Sequence, residues 1–233
     1  MAELVTGPDG AVVDGVLRLG GDGIAVAGYE VTTTRTARGL RYDVLTPDGE
    51  QVSWTAPTSS QRTLILGGAR SGKSTEAERL LADSADTLYV ATGGDGSADP
   101  EWASRIALHR ARRPSSWGLT ETIDLVPLLA SPGPPLLIDC LTLWLSRTMD
   151  ACDVWSDLTR ATVVEARIAD LAAAWSSTSR TVVAVSNDIG AGVVPADPGT
   201  RLFRDLMGRL NTTISLTSDQ VLWTIAGRTL PLT

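Results

Sequence analysis

Lysine, histidine and cysteine are scarce in this chain of 233 residues. Lys73 is the only lysine among 20 basic residues, and His109 is the only histidine. A lysine that persists where arginine supplies the other positive charges indicates a position at which a guanidinium cannot replace a compact ammonium. The two cysteines, Cys140 and Cys152, lack the spacing of a metal site, so a reducing, cytoplasmic compartment is the expectation.

Long apolar runs and an excess of basic charge are also missing. No stretch of about 18 apolar residues occurs, so no membrane span is expected. The opening sequence MAELVTGPDG has no basic segment followed by an apolar one, so no secretory signal is expected. The net charge of −7 and the isoelectric point near 4.7 argue against nucleic acid as the main partner.

The first sixty residues are rich in turn signals and in short β-forming runs. Four of these runs predict a small antiparallel meander: Ala11–Leu19, Ile24–Thr34, Leu40–Thr46 and Gln51–Thr55. They carry no recognisable motif, so the role of this segment stays open. A polar joint at Ala56–Gln61 predicts a boundary between this β-rich segment, residues 1–60, and a larger domain, residues 61–233.

Apolar strands alternate with amphipathic helices after the joint. The predicted strands are Thr63–Leu66, Thr87–Ala91, Leu136–Leu141, Thr181–Ser186 and Val221–Ala226. The predicted helices are Lys73–Ala82, Glu101–Arg112, Ser156–Ser176 and Thr200–Thr212. This alternation indicates an α/β fold of the P-loop NTPase type, with a mostly parallel sheet covered by helices on both faces.

One stretch matches the P-loop pattern G-x-x-x-x-G-K-[ST] at every fixed position. Its residues are Gly67, Gly68, Ala69, Arg70, Ser71, Gly72, Lys73 and Ser74. The glycines let backbone N–H groups turn towards phosphate oxygens, Lys73 reaches the outer phosphates, and the Ser74 hydroxyl can bind Mg²⁺. A β-forming run before the motif and a helical pattern after it supply the expected context, so we predict a nucleoside triphosphate site.

A site of this kind needs an acidic residue at the end of a neighbouring strand to hold Mg²⁺. Asp139 ends the apolar run Leu136–Ile138 and is the candidate. The alternative is that Asp139 is a capping or solvent-exposed aspartate.

His109 lies on a predicted helix and is followed by Arg110, Arg112 and Arg113. Three guanidinium groups beside an imidazole suit a polyphosphate, and they would stabilise charge on a phosphorylated or nucleotidylated histidine. Two plainer interpretations stay open, a buried core histidine and a solvent-exposed basic helix end. A second open feature is the glycine-containing stretch Ser186–Pro195, which leaves the carboxyl end of a predicted strand, where open α/β sheets bind ligands.

Five blocks in the stretch from Arg62 onward carry a resemblance to a known family. They are LILGGARSGKS, YVATGG, EWASRIALHRARRPSSWGLTET, LLIDCLTLWL and VSNDIGAGVVPADPGTRLFRDLMGRLN. The most specific is the pattern H-x-x-x-R-P followed by W-x-x-x-E. In these blocks the chain resembles the bifunctional adenosylcobinamide kinase/adenosylcobinamide-phosphate guanylyltransferases of cobalamin biosynthesis.

The resemblance implies two reactions. A nucleoside triphosphate, GTP or ATP, first phosphorylates adenosylcobinamide; GMP is then transferred from GTP to adenosylcobinamide phosphate through a GMP–histidine intermediate, which releases pyrophosphate and gives adenosylcobinamide-GDP. By motif position the histidine is His109, with Lys73 as the second catalytic residue and Ser74 and Asp139 for Mg²⁺. The implied nucleotide contacts are Gly67–Ser74, Thr92, Gly93, Gly94, Arg110, Ala111, Arg112, Arg113, Glu121 and Asp139.

The resemblance also implies a homo-oligomer, with a trimer as the expected form. Two alternatives to the bifunctional enzyme stay open. The chain could retain only one of the two transfer activities, or it could be a nucleotide-dependent regulatory protein. An intact His109 among arginines argues against the regulatory protein, because a switch does not need a nucleophile.

Overall fold

The structure is a computed structural model that describes residues 4–7, 10–13, 30–36, 39–45, 49–56, 62–84, 86–94 and 113–232. The chain divides into two compact units, Met1–Ser59 and Ser60–Thr233. The described residues of the first unit lie almost entirely in strands, whereas strands and helices alternate in the second. No helix among the residues described is long and apolar enough to cross a membrane.

Two small antiparallel arrangements form the described part of the first unit. β1 (Leu4–Gly7) pairs with β2 (Gly10–Val13), and a separate sheet has the order β3-β4-β5. The strands of this sheet are β3 (Glu30–Thr36), β4 (Gly39–Leu45) and β5 (Gln51–Ala56). The last two correspond to predicted runs, whereas much of the first two predicted runs lies outside the described residues.

The second unit is built on a seven-stranded sheet with the order β12-β11-β6-β10-β9-β7-β8. All of its paired strands run parallel except β12, which is antiparallel to β11. The strands are β6 (Arg62–Gly67), β7 (Leu88–Ala91), β8 (Gly118–Glu121), β9 (Leu136–Asp139), β10 (Val182–Asn187), β11 (Gln220–Ile225) and β12 (Arg228–Pro231). The predicted mostly parallel α/β sheet is therefore confirmed.

Both faces of the central strands are buried. Consecutive strand residues point to opposite faces, and Leu64 and Ile65 of β6 both have no exposed surface. The same is true of Leu136, Leu137 and Ile138 in β9. Such continuously apolar strands are stable only where other elements cover both faces of the sheet.

Five helices accompany the sheet in the described part of the chain. They are α1 (Lys73–Leu80), α2 (Leu125–Ala130), α3 (Leu141–Ala151), α4 (Ala161–Ser177) and α5 (Pro198–Leu216). An apolar cluster packs the helices α2 through α5 against one face of the sheet, where Leu64, Leu136 and Ile138 lie. Leu137 and Asp139 point to the opposite face because side chains alternate along β9.

Several sequence-based boundaries were wrong. The strand predicted for Leu136–Leu141 ends at Asp139, and Leu141 already begins α3, because the apolar run continues with helical spacing once the sheet edge is reached. The helix predicted for Ser156–Ser176 begins only at Ala161, after a short 3-10 turn. The predicted helix Glu101–Arg112 lies outside the described residues. Five of the described strands and helices had no predicted counterpart: β1, β8, α2, α3 and β12.

Candidate active site

The P-loop connects the end of β6 to the start of α1, and two of its glycines meet specific constraints. A Cβ atom on Gly67 would lie 2.2 Å from the Thr224 carbonyl oxygen of β11, so only glycine allows this close approach. Gly72 caps α1 with φ 103°, which is in the left-handed region. The loop is also tied to the β11–β12 turn, where the Gly227 N–H donates to the Ser71 carbonyl at 2.9 Å. These contacts constrain the shape of the loop backbone.

Lys73 is the first residue of α1 and is only 7% exposed. Its Nζ donates to the Gly68 carbonyl at 2.6 Å and lies 3.5 Å from the Ser71 hydroxyl. Burial lowers the pKa of Lys73, and the nearby Cys140 and Asp139 oppose this change. The only lysine of the chain is therefore held inside the phosphate loop, at the N-terminus of a helix whose dipole favours anions.

Asp139 ends β9 at the same carboxyl edge of the sheet as the P-loop. The two strands are not neighbours, since β10 lies between β6 and β9 and pairs with both. The expectation of a neighbouring strand was therefore wrong in this detail. In the parallel register Val185 of β10 lies beside Asp139, and Asn187 lies beside Gly67.

Tyr89 of β7 contacts Asp139 directly. Its hydroxyl donates a hydrogen bond of 2.7 Å to Oδ2 of Asp139, and its side chain is 4% exposed. Burial and the Asp139 carboxylate both raise the pKa of Tyr89, so this hydroxyl keeps its proton and acts as a donor. The guanidinium carbon of Arg113 lies 3.6 Å from the centre of the Tyr89 ring, which is a cation–π contact.

Thr92 follows β7 and is fully buried. Its hydroxyl bonds both backbone groups of Cys140, and its carbonyl accepts a hydrogen bond of 3.0 Å from Arg147 of α3. Gly93 and Gly94 continue the chain from this fixed point, and Gly94 has φ 81°. The nucleotide contacts predicted for Thr92, Gly93 and Gly94 stay predictions, and the contact shown for the Thr92 hydroxyl is with the end of β9.

The remaining predicted residues fall into two groups. Glu121 ends β8, is exposed, and pairs in register with Ala91 of β7. His109, Arg110, Ala111 and Arg112 lie outside the described residues, so their roles stay predictions.

The stretch that follows β10 approaches the P-loop. The Asp188 N–H donates to the Gly67 carbonyl at 3.0 Å, and Arg204 of α5 donates to the Gly190 carbonyl. Val193 at the far part of this stretch is 96% exposed. The sequence prediction that this stretch emerges at the ligand-binding edge therefore agrees with its attachment to the P-loop.

Two residues of this edge were missed by the sequence reasoning. Tyr89 lies inside the quoted block YVATGG, but its hydroxyl and ring contacts depend on residues far along the chain, so no local pattern indicates them. Arg147 lies on α3, an element that was not predicted. The signal for α3 was present in LTLWL, where the apolar residues could equally continue a buried strand.

Comparison with known proteins gives one matching family model, described as cobinamide kinase / cobinamide phosphate guanyltransferase, over residues 63–232. The bifunctional adenosylcobalamin biosynthesis protein CobP of Pseudomonas aeruginosa is 42% identical over 176 residues, which cover 73% of this chain and 96% of the relative. CobU of Escherichia coli, which carries the same description, is 33% identical over 174 residues, covering 70% and 95%.

Among solved structures, the P4 protein from bacteriophage φ6 in complex with ADP aligns with a TM-score of 0.37 and 15% identity. The alignment covers 76% of this chain and 55% of that protein, so this chain spans little more than half of its length. The family assignment comes from the sequence relatives, which this chain matches over nearly their full length. The predicted resemblance and the predicted class of enzyme are confirmed, and the chain belongs to the cobinamide kinase / cobinamide phosphate guanyltransferase family.

Proposed function

We propose that this protein carries out both transfers at the single P-loop, with adenosylcobinamide and adenosylcobinamide phosphate as the acceptors. In the first, the γ-phosphoryl group of ATP or GTP passes to the aminopropanol hydroxyl of adenosylcobinamide, which loses its proton. In the second, GMP from GTP is joined to the new phosphate and pyrophosphate leaves. The observation that carries the proposal is the position of Lys73, buried inside the phosphate loop at the sheet edge that also carries Asp139.

The guanylyl transfer is proposed to proceed through His109. A nitrogen of the neutral imidazole attacks the α-phosphorus of GTP, the bond to the β-phosphate oxygen breaks, and the resulting GMP–histidine then gives GMP to the acceptor phosphate. Direct attack by the acceptor phosphate would bring two anions together, and a neutral nucleophile avoids this repulsion. Arg110, Arg112 and Arg113 are the proposed contacts of the triphosphate.

The P-loop supplies the binding energy common to both donors. Backbone N–H groups of Gly67–Ser74 and the N-terminus of α1 bind phosphate oxygens, and the Lys73 ammonium leaves the Gly68 carbonyl to contact the transferring group. Glu121 and the Thr92–Gly94 segment are proposed to contact the nucleotide from the neighbouring strands. Because the transition state of phosphoryl transfer is loose, positioning and charge stabilisation account for most of the catalysis.

The residues present fit a magnesium ion. The Ser74 hydroxyl and the Asp139 carboxylate are hard oxygen donors, the kind that Mg²⁺ prefers. The described residues contain no cluster of three or more His, Cys, Asp or Glu that could form an all-protein metal cage. Such a set suits an ion that also binds water and substrate phosphates, and when bound it would neutralise charge on those phosphates.

Two further expectations accompany the proposal. The thiols of Cys140 and Cys152 are free, as a reducing cytoplasm maintains them, and we place the enzyme there. The family resemblance carries the expectation of a homotrimer. Size-exclusion chromatography with light scattering tests this expectation. The measured mass should be three times the 24.5 kDa of a single chain, and the mass of a single chain would contradict the trimer.

The experiment that tests the proposed function follows both products separately. Purified protein is incubated with adenosylcobinamide and γ-labelled ATP or GTP, and in parallel with adenosylcobinamide phosphate and α-labelled GTP, each with and without Mg²⁺. Label in both corrinoid products, dependent on Mg²⁺, is the expected result. Label in only one product would support the single-activity alternative. Nucleotide binding without any transfer would support the regulatory protein.

A further inference from the structure

We propose that Tyr89 is a positioning residue for the nucleotide site, which acts through its hydroxyl on Asp139 and through its ring on Arg113. The inference rests on the proposed function and deepens it, because neither the family pattern nor the sequence reasoning gives Tyr89 a role. Tyr89 lies on β7, next to β9 in the sheet, and its register partner is Leu137, two residues before Asp139. Its side chain therefore lies on the same face as Asp139.

The hydroxyl restricts the direction of the acidic group. The terminal torsion of an aspartate is broad and roughly two-fold, so a carboxylate that receives no fixed hydrogen bond samples several orientations. The 2.7 Å bond from Tyr89 to Oδ2 limits that rotation. Removing a group that hydrogen-bonds a metal ligand in this way typically costs about 10- to 100-fold in metal affinity or activity.

The ring holds the second group. Arg113 lies with its guanidinium carbon over the ring, 3.6 Å from the ring centre, which is a cation–π contact. Arg113 is also the last residue of the arginine-containing stretch that begins at His109 in the sequence. The contact therefore anchors to the sheet one end of the segment that carries the proposed nucleophile.

Tyr89 can serve both groups because it is itself fixed. Only 4% of its surface is exposed, and a tyrosine has just two side-chain torsions that burial must hold. The two contacts use different parts of the side chain, the oxygen for Asp139 and the ring face for Arg113. Substitutions can therefore remove one contact and keep the other.

The matched variants are Tyr89→Phe, which removes the hydroxyl and keeps the ring, and Tyr89→Leu, which removes both. Trp117→Phe is the control, because Trp117 is a buried aromatic residue of the same unit whose Nε1 donates to the Ser84 carbonyl at 2.9 Å. The Trp117→Phe variant loses a hydrogen bond of a buried aromatic side chain, but this bond is to Ser84 and not to Asp139. Tyr89→Met also removes both contacts and replaces Tyr89→Leu if that variant fails to fold, and it leaves the charge of Arg113 in place.

For Tyr89→Phe, the Mg²⁺ concentration at half-maximal rate should rise about 10-fold or more in both transfers, while Trp117→Phe leaves it unchanged. Mg²⁺-dependent binding of a fluorescent GTP analogue should shift in parallel. For Tyr89→Leu or Tyr89→Met, guanylyl transfer should fall further than phosphoryl transfer does. An unchanged Mg²⁺ requirement in folded Tyr89→Phe overturns the hydroxyl role, and equal losses in both transfers overturn the ring role.

Failure of the proposed function would look different. Wild-type protein would then produce neither corrinoid product, yet binding of the GTP analogue could still be measured. A shift of its Mg²⁺ dependence in Tyr89→Phe alone would uphold the positioning role without any turnover, and the absence of that shift would overturn it.

Discussion

The hydroxyl of Thr92 bonds to both backbone groups of Cys140. Oγ1 accepts a hydrogen bond of 2.9 Å from the Cys140 N–H and donates one of 2.7 Å to the Cys140 carbonyl. Thr92 also receives the chain from β7, and its own N–H donates to the Asp139 carbonyl at 3.1 Å. The end of β9, where Asp139 lies, is thus attached to the end of β7 by three hydrogen bonds.

Substituting Thr92 by valine should therefore lower stability and disturb the metal requirement. The shape is kept, but the buried Cys140 N–H loses its partner, whereas the Cys140 carbonyl still accepts from the Trp144 N–H. The free energy of unfolding should therefore fall by about 1–3 kcal/mol. Thr87→Val is the matched control at the other end of β7, because the Thr87 hydroxyl is buried and has no partner among the described residues. Urea unfolding should show little loss, or a gain, for Thr87→Val; equal losses for both variants would contradict the interpretation.

Lys73→Met should abolish both transfers. The ammonium is a buried cation inside the phosphate loop, and removing a single preorganised donor of this kind typically costs about 10²–10³-fold in rate. Arg79→Met on the same helix is the control, since Arg79 is exposed and pairs only with Glu76 among the contacts seen in the described structure. Steady-state rates at saturating nucleotide decide the matter. Near-normal turnover of either reaction in Lys73→Met would show that the two donors do not share this loop.

Arg180 provides a stability test away from the active site. Its side chain is 6% exposed, and it donates to the carbonyls of Pro134 and Leu128. Burial lowers the pKa of Arg180. Arg180→Met removes these donors, so we expect a loss of about 2–4 kcal/mol in the free energy of unfolding.

Arg209→Met is the matched control for Arg180. Arg209 is exposed and forms a surface ion pair with Glu165, which typically contributes less than about 1 kcal/mol. Denaturant unfolding of the two variants should therefore differ clearly. Similar midpoints would mean that the buried guanidinium adds nothing beyond its packing.

How much of this could be predicted from the sequence depends on the range of the interactions. The P-loop could be predicted because its glycines, Lys73 and Ser74 lie within eight residues and form a known local pattern. Asp139 could be predicted because an apolar run that stops at an acidic residue indicates the end of a buried strand. Both patterns depend on residues that are near in the sequence.

The order of the strands in the sheet could not be predicted from the sequence. β10 follows β9 in the chain by more than forty residues, yet it inserts between β9 and β6. The strand order is determined by packing between segments that are distant in the sequence, so no short stretch of sequence indicates it. The contacts of Tyr89 are of the same kind, since its partner Asp139 is fifty residues away.

The N-terminal segment should be dispensable for both transfers. The matched family region begins at residue 63. The P-loop and Asp139 both belong to the unit Ser60–Thr233. A chain that begins at Ser60 should fold and bind GTP with an affinity close to that of the full chain, as measured by titration calorimetry. Aggregation or loss of cooperative unfolding in the shortened chain would place residues 1–60 within the main core.

The most direct test of the account is whether GMP becomes attached to His109. Wild-type protein incubated with α-labelled GTP and Mg²⁺, then denatured, should retain label in a bond that is stable in base and labile in acid, as expected for a phosphoramidate. His109→Ala should lose this label and the guanylyl product, while it still phosphorylates adenosylcobinamide. Because the chain has no other histidine, no neighbouring imidazole can substitute. Wild-type protein that forms product from GTP and adenosylcobinamide phosphate without ever retaining label would contradict the histidine intermediate.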